Sequence, residues 1–202
     1  AIRESGVAID GLSLLPMESE SVVTKLSEAI AKKKKTFVGK KKEQPSKENN
    51  WVIFMGQNAS GGLRQIVVKN GQLALTRISP IVETDADLSF WCRDVQRELL
   101  ATMGYLSRFG YGSDDKLNIL VIGDGAAEPI LEEIIDFEAS IDVVTLDQAM
   151  KMLGMSTISG GVKHVASAMH VGWVARKVKL SAPMNSGSVS YTHLTLPTTP
   201  YV

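Results

Sequence analysis

The sequence predicts an α/β fold in which one mixed sheet, flanked by helices, is built in the order β-β-β-α-β-α-β-α after an opening β-α segment. Three observations predict it. Residues 51–82 form three apolar, strand-like runs, with Asn70-Gly71 placed where a tight hairpin needs positive φ angles. Residues 87–109 then change to a period near 3.6. Residues 117–122 are an apolar run that meets Gly123-Asp124-Gly125, as a buried strand entering a helix would.

Each element can be justified in turn. Residues 1–6 read as the end of a helix closed by Gly6, so the chain is expected to continue upstream. Residues 7–16 read as a strand ending at Pro16. Residues 17–31 read as a helix, because Val22, Val23, Leu26, Ala29 and Ile30 fall on one stripe and Glu and Ser residues crowd its start. The lysines at 32–35 and 40–42 then run into Gln44-Pro45-Ser46-Lys47, which reads as a solvated loop. In the hairpin that follows, Val67 and Leu73, then Ile66 and Leu75, supply apolar residues on either side of the turn. The helix over 87–109 is lined by Leu88, Trp91, Cys92, Val95, Leu99, Thr102, Met103, Leu106 and Phe109. A helix over 128–137, a strand over 142–146, a short helix over 146–153 and a last helix over 161–177 complete the order.

Composition narrows the function classes. Of 202 residues, 44% are apolar and 22% charged, as in soluble globular domains, and the formal net charge is zero. That zero hides a balance of +6 over residues 1–82, −11 over 83–150 and +5 over 151–202. A uniformly basic nucleic-acid binder is therefore excluded, and so is a uniformly acidic tail. The basic run carries one aromatic residue, Phe37, so it lacks the stacking platform that single-stranded nucleic acid requires. A lone cysteine, Cys92, allows no internal disulfide and points to a reduced, cytoplasmic setting. No run approaches the ~20 apolar residues of a membrane span. His164 and His170 lie six residues apart, off a common helical face, and no acid or thiol has metal-ligand spacing with them.

Phosphate binding is the chemistry the motifs favour. Gly56-Gln57-Asn58-Ala59-Ser60-Gly61-Gly62 forms a glycine-bracketed turn between two strands, whose backbone can approach phosphate oxygens closely. Gly123-Asp124-Gly125 lies between an apolar strand and a helix start, where backbone N–H groups point at an anion. The candidate nucleotide-binding residues are thus Gly56, Gln57, Asn58, Gly61, Gly62, Gly123, Asp124 and Gly125, with no catalytic residue and no metal ligand assigned. A metal-dependent nuclease is disfavoured. Two metal ions ~4 Å apart need several carboxylates, and the first strand ends in Met55-Gly56.

Three antiparallel strands followed by βαβα is the arrangement of the ribonuclease H-like and actin-like folds. Residues 51–153 further resemble the second half of the actin-like cytoplasmic domains of PilM-type pilus assembly and GspL-type type II secretion proteins. The resemblance rests on the strand leading to the glycine turn, the hairpin closing in Thr76-Arg77-Ile78-Ser79-Pro80, and the apolar strand and glycine turn over 119–125. It implies that residues 1–35 end an upstream subdomain, 36–50 form a lysine-rich loop and 51–180 form the actin-like subdomain. Residues 188–202, with Ser190-Tyr191-Thr192-His193-Leu194, resemble translated adapter sequence and are expected to be a non-native tail.

By the same resemblance, the role is a cytoplasmic scaffold of bacterial pilus or type II secretion assembly. Its partners would be inner-membrane assembly proteins, with peripheral membrane association and no nucleic acid. Members that bind ATP and Mg carry an acid in the first phosphate loop, where this chain has Met55-Gly56-Gln57-Asn58, which argues against hydrolysis. A nucleotide-binding ATPase of the same fold and a ribonuclease H-like nucleic-acid-processing protein are the alternative readings.

Overall fold

The computed structural model describes residues 15–38, 49–58, 62–80, 87–156 and 166–177, all within one compact unit, Leu14–Val178. A five-stranded mixed sheet, in the order β3-β2-β1-β4-β5, forms its middle layer. The strands are β1 (Asn50–Gln57), β2 (Leu63–Lys69), β3 (Gln72–Ser79), β4 (Lys116–Ile122) and β5 (Ser140–Val144). β1 to β3 are an antiparallel meander, whereas β4 pairs parallel to both β1 and β5. Because β1 is paired on both edges and covered on both faces, Trp51, Val52, Ile53, Phe54, Met55 and Gly56 are all buried.

Strand alternation divides the core in two. Val52, Phe54, Ile66, Val68, Leu120 and Ile122 face helices α1 (Leu15–Val38), α4 (Leu146–Met152) and α5 (Ala166–Lys177). Trp51, Ile53, Met55, Val67, Ile119 and Val121 face α2 (Leu88–Leu106) and α3 (Ala127–Ile134). Residues outside the sheet follow the helical period, with α1 burying Val22, Val23, Leu26 and Ile30, and α2 burying Cys92, Val95, Leu99, Thr102 and Leu106. α1 thus packs on the same sheet as α5 and belongs to the same layered unit.

The boundaries are set by local chemistry. Asn70 and Gly71, at φ 51° and 84°, close the β2–β3 hairpin. Asp87 caps α2 by accepting from the Ser89 N–H, and a 3-10 turn over Ser107–Phe109 ends it at Gly110, in the left-handed region at φ 83°. Thr145 and Gln148 form a reciprocal capping box on α4. Among the described residues no helix is long and apolar enough to cross a membrane.

Several expectations need correction. Leu15 and Pro16, expected to close a strand, open α1, since the fixed φ of proline and its missing N–H suit a first helical turn. The same helix continues to Val38, so Lys32–Lys35 lie on its last turns and not in a loop, and residues 39–48 of the loop expected over 36–50 lie outside the described residues. Lysine is a good helix former, and cations suit a helix C-terminus. Lys34 also pairs with Asp142 at 2.8 Å and donates to the Ser140 hydroxyl at 3.2 Å. β5 runs Ser140–Val144 and ends two residues earlier than expected because Thr145 is committed to capping α4. α3 stops at Ile134, where Ile135 turns extended with its N–H still bonded to the Leu131 carbonyl. The remainder of the strand expected over 7–16, His164 and the tail over 188–202 lie outside the described residues.

Candidate functional site

The parallel register of β1 and β4 pairs Gly56 with Ile122. Gln57 and Gly123 therefore lie side by side at the C-terminal edge of the parallel strands, the edge at which α/β sheets usually bind ligands. Sequence reasoning had each turn but not their adjacency, which depends on pairing between residues some 65 apart.

What each residue does there is mostly packing. A Cβ on Gly56 would lie 2.5 Å from the Ala166 Cβ, so its bare backbone is what allows α5 to sit on β1. The Asn58 N–H donates to the Gly62 carbonyl at 2.9 Å, closing the turn, and its side-chain oxygen accepts from the Ser167 hydroxyl at 2.6 Å. Gly62, at φ 82°, lies against the Ser79 carbonyl of β3. Gly61 lies outside the described residues. A Cβ on Gly123 would lie 2.8 Å from the Trp91 ring of α2, and its N–H donates to the Val144 carbonyl at 3.1 Å. Asp124 accepts from the Ala126 N–H at 3.0 Å and so turns the chain into α3. Among the described glycines of these turns, Gly125 alone stands in open space.

Sequence reasoning missed a second group of residues, on the α1/α5 face beside this edge. Arg64 of β2 lies opposite Gly56 in the antiparallel register, and its Nε is buried without a hydrogen-bond partner. Burial lowers its pKa. His170 of α5 is fully buried, packs edge-on against Phe54 at 5.3 Å and places Nδ1 3.3 Å from the Ser19 hydroxyl of α1, while Nε2 has no partner. Burial, and then the nearby Arg64 charge, lower its pKa to about 4. The signal available in sequence was an arginine two residues after Gly62, in a strand with apolar residues on both faces.

The opposite edge of the sheet carries a depression of about 890 Å³, lined by Tyr111, Asp114, Asp115, Lys116, Asn118 and Glu138 among others. Asp115 is its structural hub. Burial alone would raise its pKa, but hydrogen bonds from the Asn49 side chain (2.8 Å), the Gly112 N–H (3.1 Å), the Trp51 indole (3.0 Å) and the Asn49 N–H (3.2 Å) outweigh that and lower it. Its oxygens are thus committed to joining the starts of β1 and β4. Among the described residues no group of three His, Cys, Asp or Glu side chains is placed to hold a metal ion.

Among the described residues, the arrangement gathers backbone turns and the Arg64 cation at the edge where α/β sheets usually bind ligands, and aims no nucleophile or general base into it. Compared with protein-family models and with curated proteins, the chain matches none.

Proposed function

We propose that this chain is a cytoplasmic, actin-like scaffold of a bacterial pilus or type II secretion assembly, which acts through protein–protein contacts. One observation carries the reading. The strand order β3-β2-β1-β4-β5, antiparallel on one side of β1 and parallel on the other, is the order an actin-like, ribonuclease H-like sheet requires. The glycine turns support a scaffold over an ATPase, because Gly56, Gly62 and Gly123 each answer to a close packing contact and the first turn offers amides and an asparagine but no carboxylate for magnesium. The exposed acids of α3 and the turn after it, Glu132, Glu133, Asp136 and Glu138, present a surface for a basic partner.

Titration of the full chain with ATP and magnesium tests this. The scaffold reading expects no saturable, magnesium-dependent binding. Micromolar affinity that Gly125→Ala abolishes would overturn it in favour of the ATPase, and metal-dependent cleavage of nucleic acid would overturn it in favour of a nuclease. Gly125 is the suitable position because an added methyl meets nothing there, so loss of binding would not report misfolding. In a two-hybrid assay against inner-membrane assembly proteins, Glu132→Lys with Glu133→Lys is expected to weaken the positive interaction.

A further inference from the structure

We propose that two copies of this chain pair through the outer face of the α2/α3 layer, about a twofold axis that runs along and between the two helices, so that α2 of each copy lies over α3 of the other. The inference does not rest on the scaffold reading, which a monomer would leave intact.

Two features of one layer carry the argument, and the first is what α2 leaves outside. Along α2 and the turn that ends it, Arg93, Arg97, Ala101, Gly104 and Arg108 recur at helical spacing and are all exposed. Beside them stand Phe90, 58% exposed, and Leu100, 47% exposed, and large apolar side chains gathered on one face mark a contact surface. Among the described residues no carboxylate pairs with Arg93 or Arg108, which lie over rings, Phe90 at 5.9 Å and Tyr105 at 5.8 Å. Arg97 is bonded to Asp94 at 2.6 Å and to Glu98 at 3.3 Å, but those side chains are 28% and 12% exposed against 60% for the arginine, so the charge turned outward is positive. Ala101 and Gly104 keep the middle of the face low enough for a helix to approach, and a Cβ on Gly104 would meet nothing.

The second feature is the neighbouring helix. β3, β4 and β5 run the same way, so α2 and α3, which join them in turn, both cross back over the sheet and lie side by side in parallel. Trp91 packs on Gly123 and Gln96 donates to the Ile134 carbonyl, which sets Arg93 and Arg97 level with α3. α3 and the turn after it expose Glu132, Glu133 and Asp136, and no cation pairs with them among the described residues. A basic row and an acidic row thus run parallel on one surface. A twofold axis laid between them exchanges the rows and keeps their level, so each row meets its opposite, twice over. A second copy carries both rows in the required arrangement by symmetry, and it covers the exposed apolar side chains between them.

Sedimentation equilibrium of the full chain at low salt tests the pairing. α3 is short, so the shared face is small, and a dimer with a Kd on the order of 1–100 μM is expected, weaker as salt rises. Arg93→Glu with Arg97→Glu should weaken it by about tenfold or more, and so should Glu132→Arg with Glu133→Arg, since a twofold interface repeats each reversal. Mixed in equal amounts, the two variants should form a heterodimer about as tight as the unaltered dimer, because each reversed row then meets the other. An unaltered chain that stays monomeric up to about 0.5 mM overturns the proposal and leaves this face to a different partner. A dimer that neither reversal weakens overturns it too, as does a mixture in which pairing is not restored. Circular dichroism checks the fold of each variant. Should loss of the Arg97 bond to Asp94 disturb α2, Arg93→Glu alone carries the test, because that arginine has no carboxylate partner among the described residues.

Discussion

His170 is a neutral imidazole held in the core, and that sets a pH dependence. Its folded pKa, about 4, lies below the ordinary value of 6.5, so the unfolded chain binds the extra proton between those pH values. Its contribution to stability is therefore complete above pH 6.5 and lost as pH falls from 6.5 towards 4, with a slope of at most about 1.4 kcal/mol per pH unit. Urea unfolding across this range should show the decline, and His170→Leu should flatten it. Asp115 acts in a separate, lower window. Its lowered pKa stabilises the fold above the ordinary value of 3.8, and that contribution disappears as pH falls through the folded value. Gly56 and Gly125 test the difference between a packing glycine and an open one. Gly56→Ala must push α5 off β1 and should cost about 1–3 kcal/mol, whereas Gly125→Ala should stay within about 0.5 kcal/mol, both by denaturant midpoint.

At the level of elements, polar groups inside the core join β2 and β3 to α2. The buried Thr102 hydroxyl donates to the Gln65 side-chain carbonyl, whose amide donates to the Ser79 hydroxyl at 3.0 Å. Arg77 adds bonds to Thr102 at 3.2 Å and to Glu98 at 2.8 Å. Thr102→Val keeps the shape but strands the Gln65 carbonyl, and should cost about 1–3 kcal/mol in chemical denaturation. This network was invisible in the sequence, where Thr102 reads only as one more residue on the buried stripe. Periodicity made β1 to β4 and α2 legible because each is a long run packed along one face or buried on both. It failed where side-chain commitments override the pattern. Thr145 looked available to a strand until its capping role was seen, and Pro16 reads equally as a strand end or a helix start. The candidate turns were legible as glycine spacing. Arg64 and His170 were not, because their significance lies in what is missing around them, and absence of a partner has no local signature.

Across the whole molecule, the opposed charge blocks meet through tertiary structure. The basic end of α1 reaches the acidic half where Lys34 pairs with Asp142, and the same lysine lowers a Glu128 pKa that burial, then Asp142 and Glu132, raise. The pair is half open to water, so Lys34→Ala should change stability by no more than about 1 kcal/mol, and by less at high salt. Hydrogen exchange should rank the strands by position. β2, β1 and β4, each paired on both sides, should protect most strongly, ahead of the edges β3 and β5. The three tryptophans also occupy different layers. Trp51 is bonded to Asp115 where the sheet begins, Trp91 covers Gly123 from α2, and Trp173 of α5 donates to the Ser21 hydroxyl of α1 at 2.8 Å. The protein thus carries one fluorophore for the sheet and one for each helical layer, so variants retaining a single tryptophan would time the docking of α2 and of α5 separately during refolding.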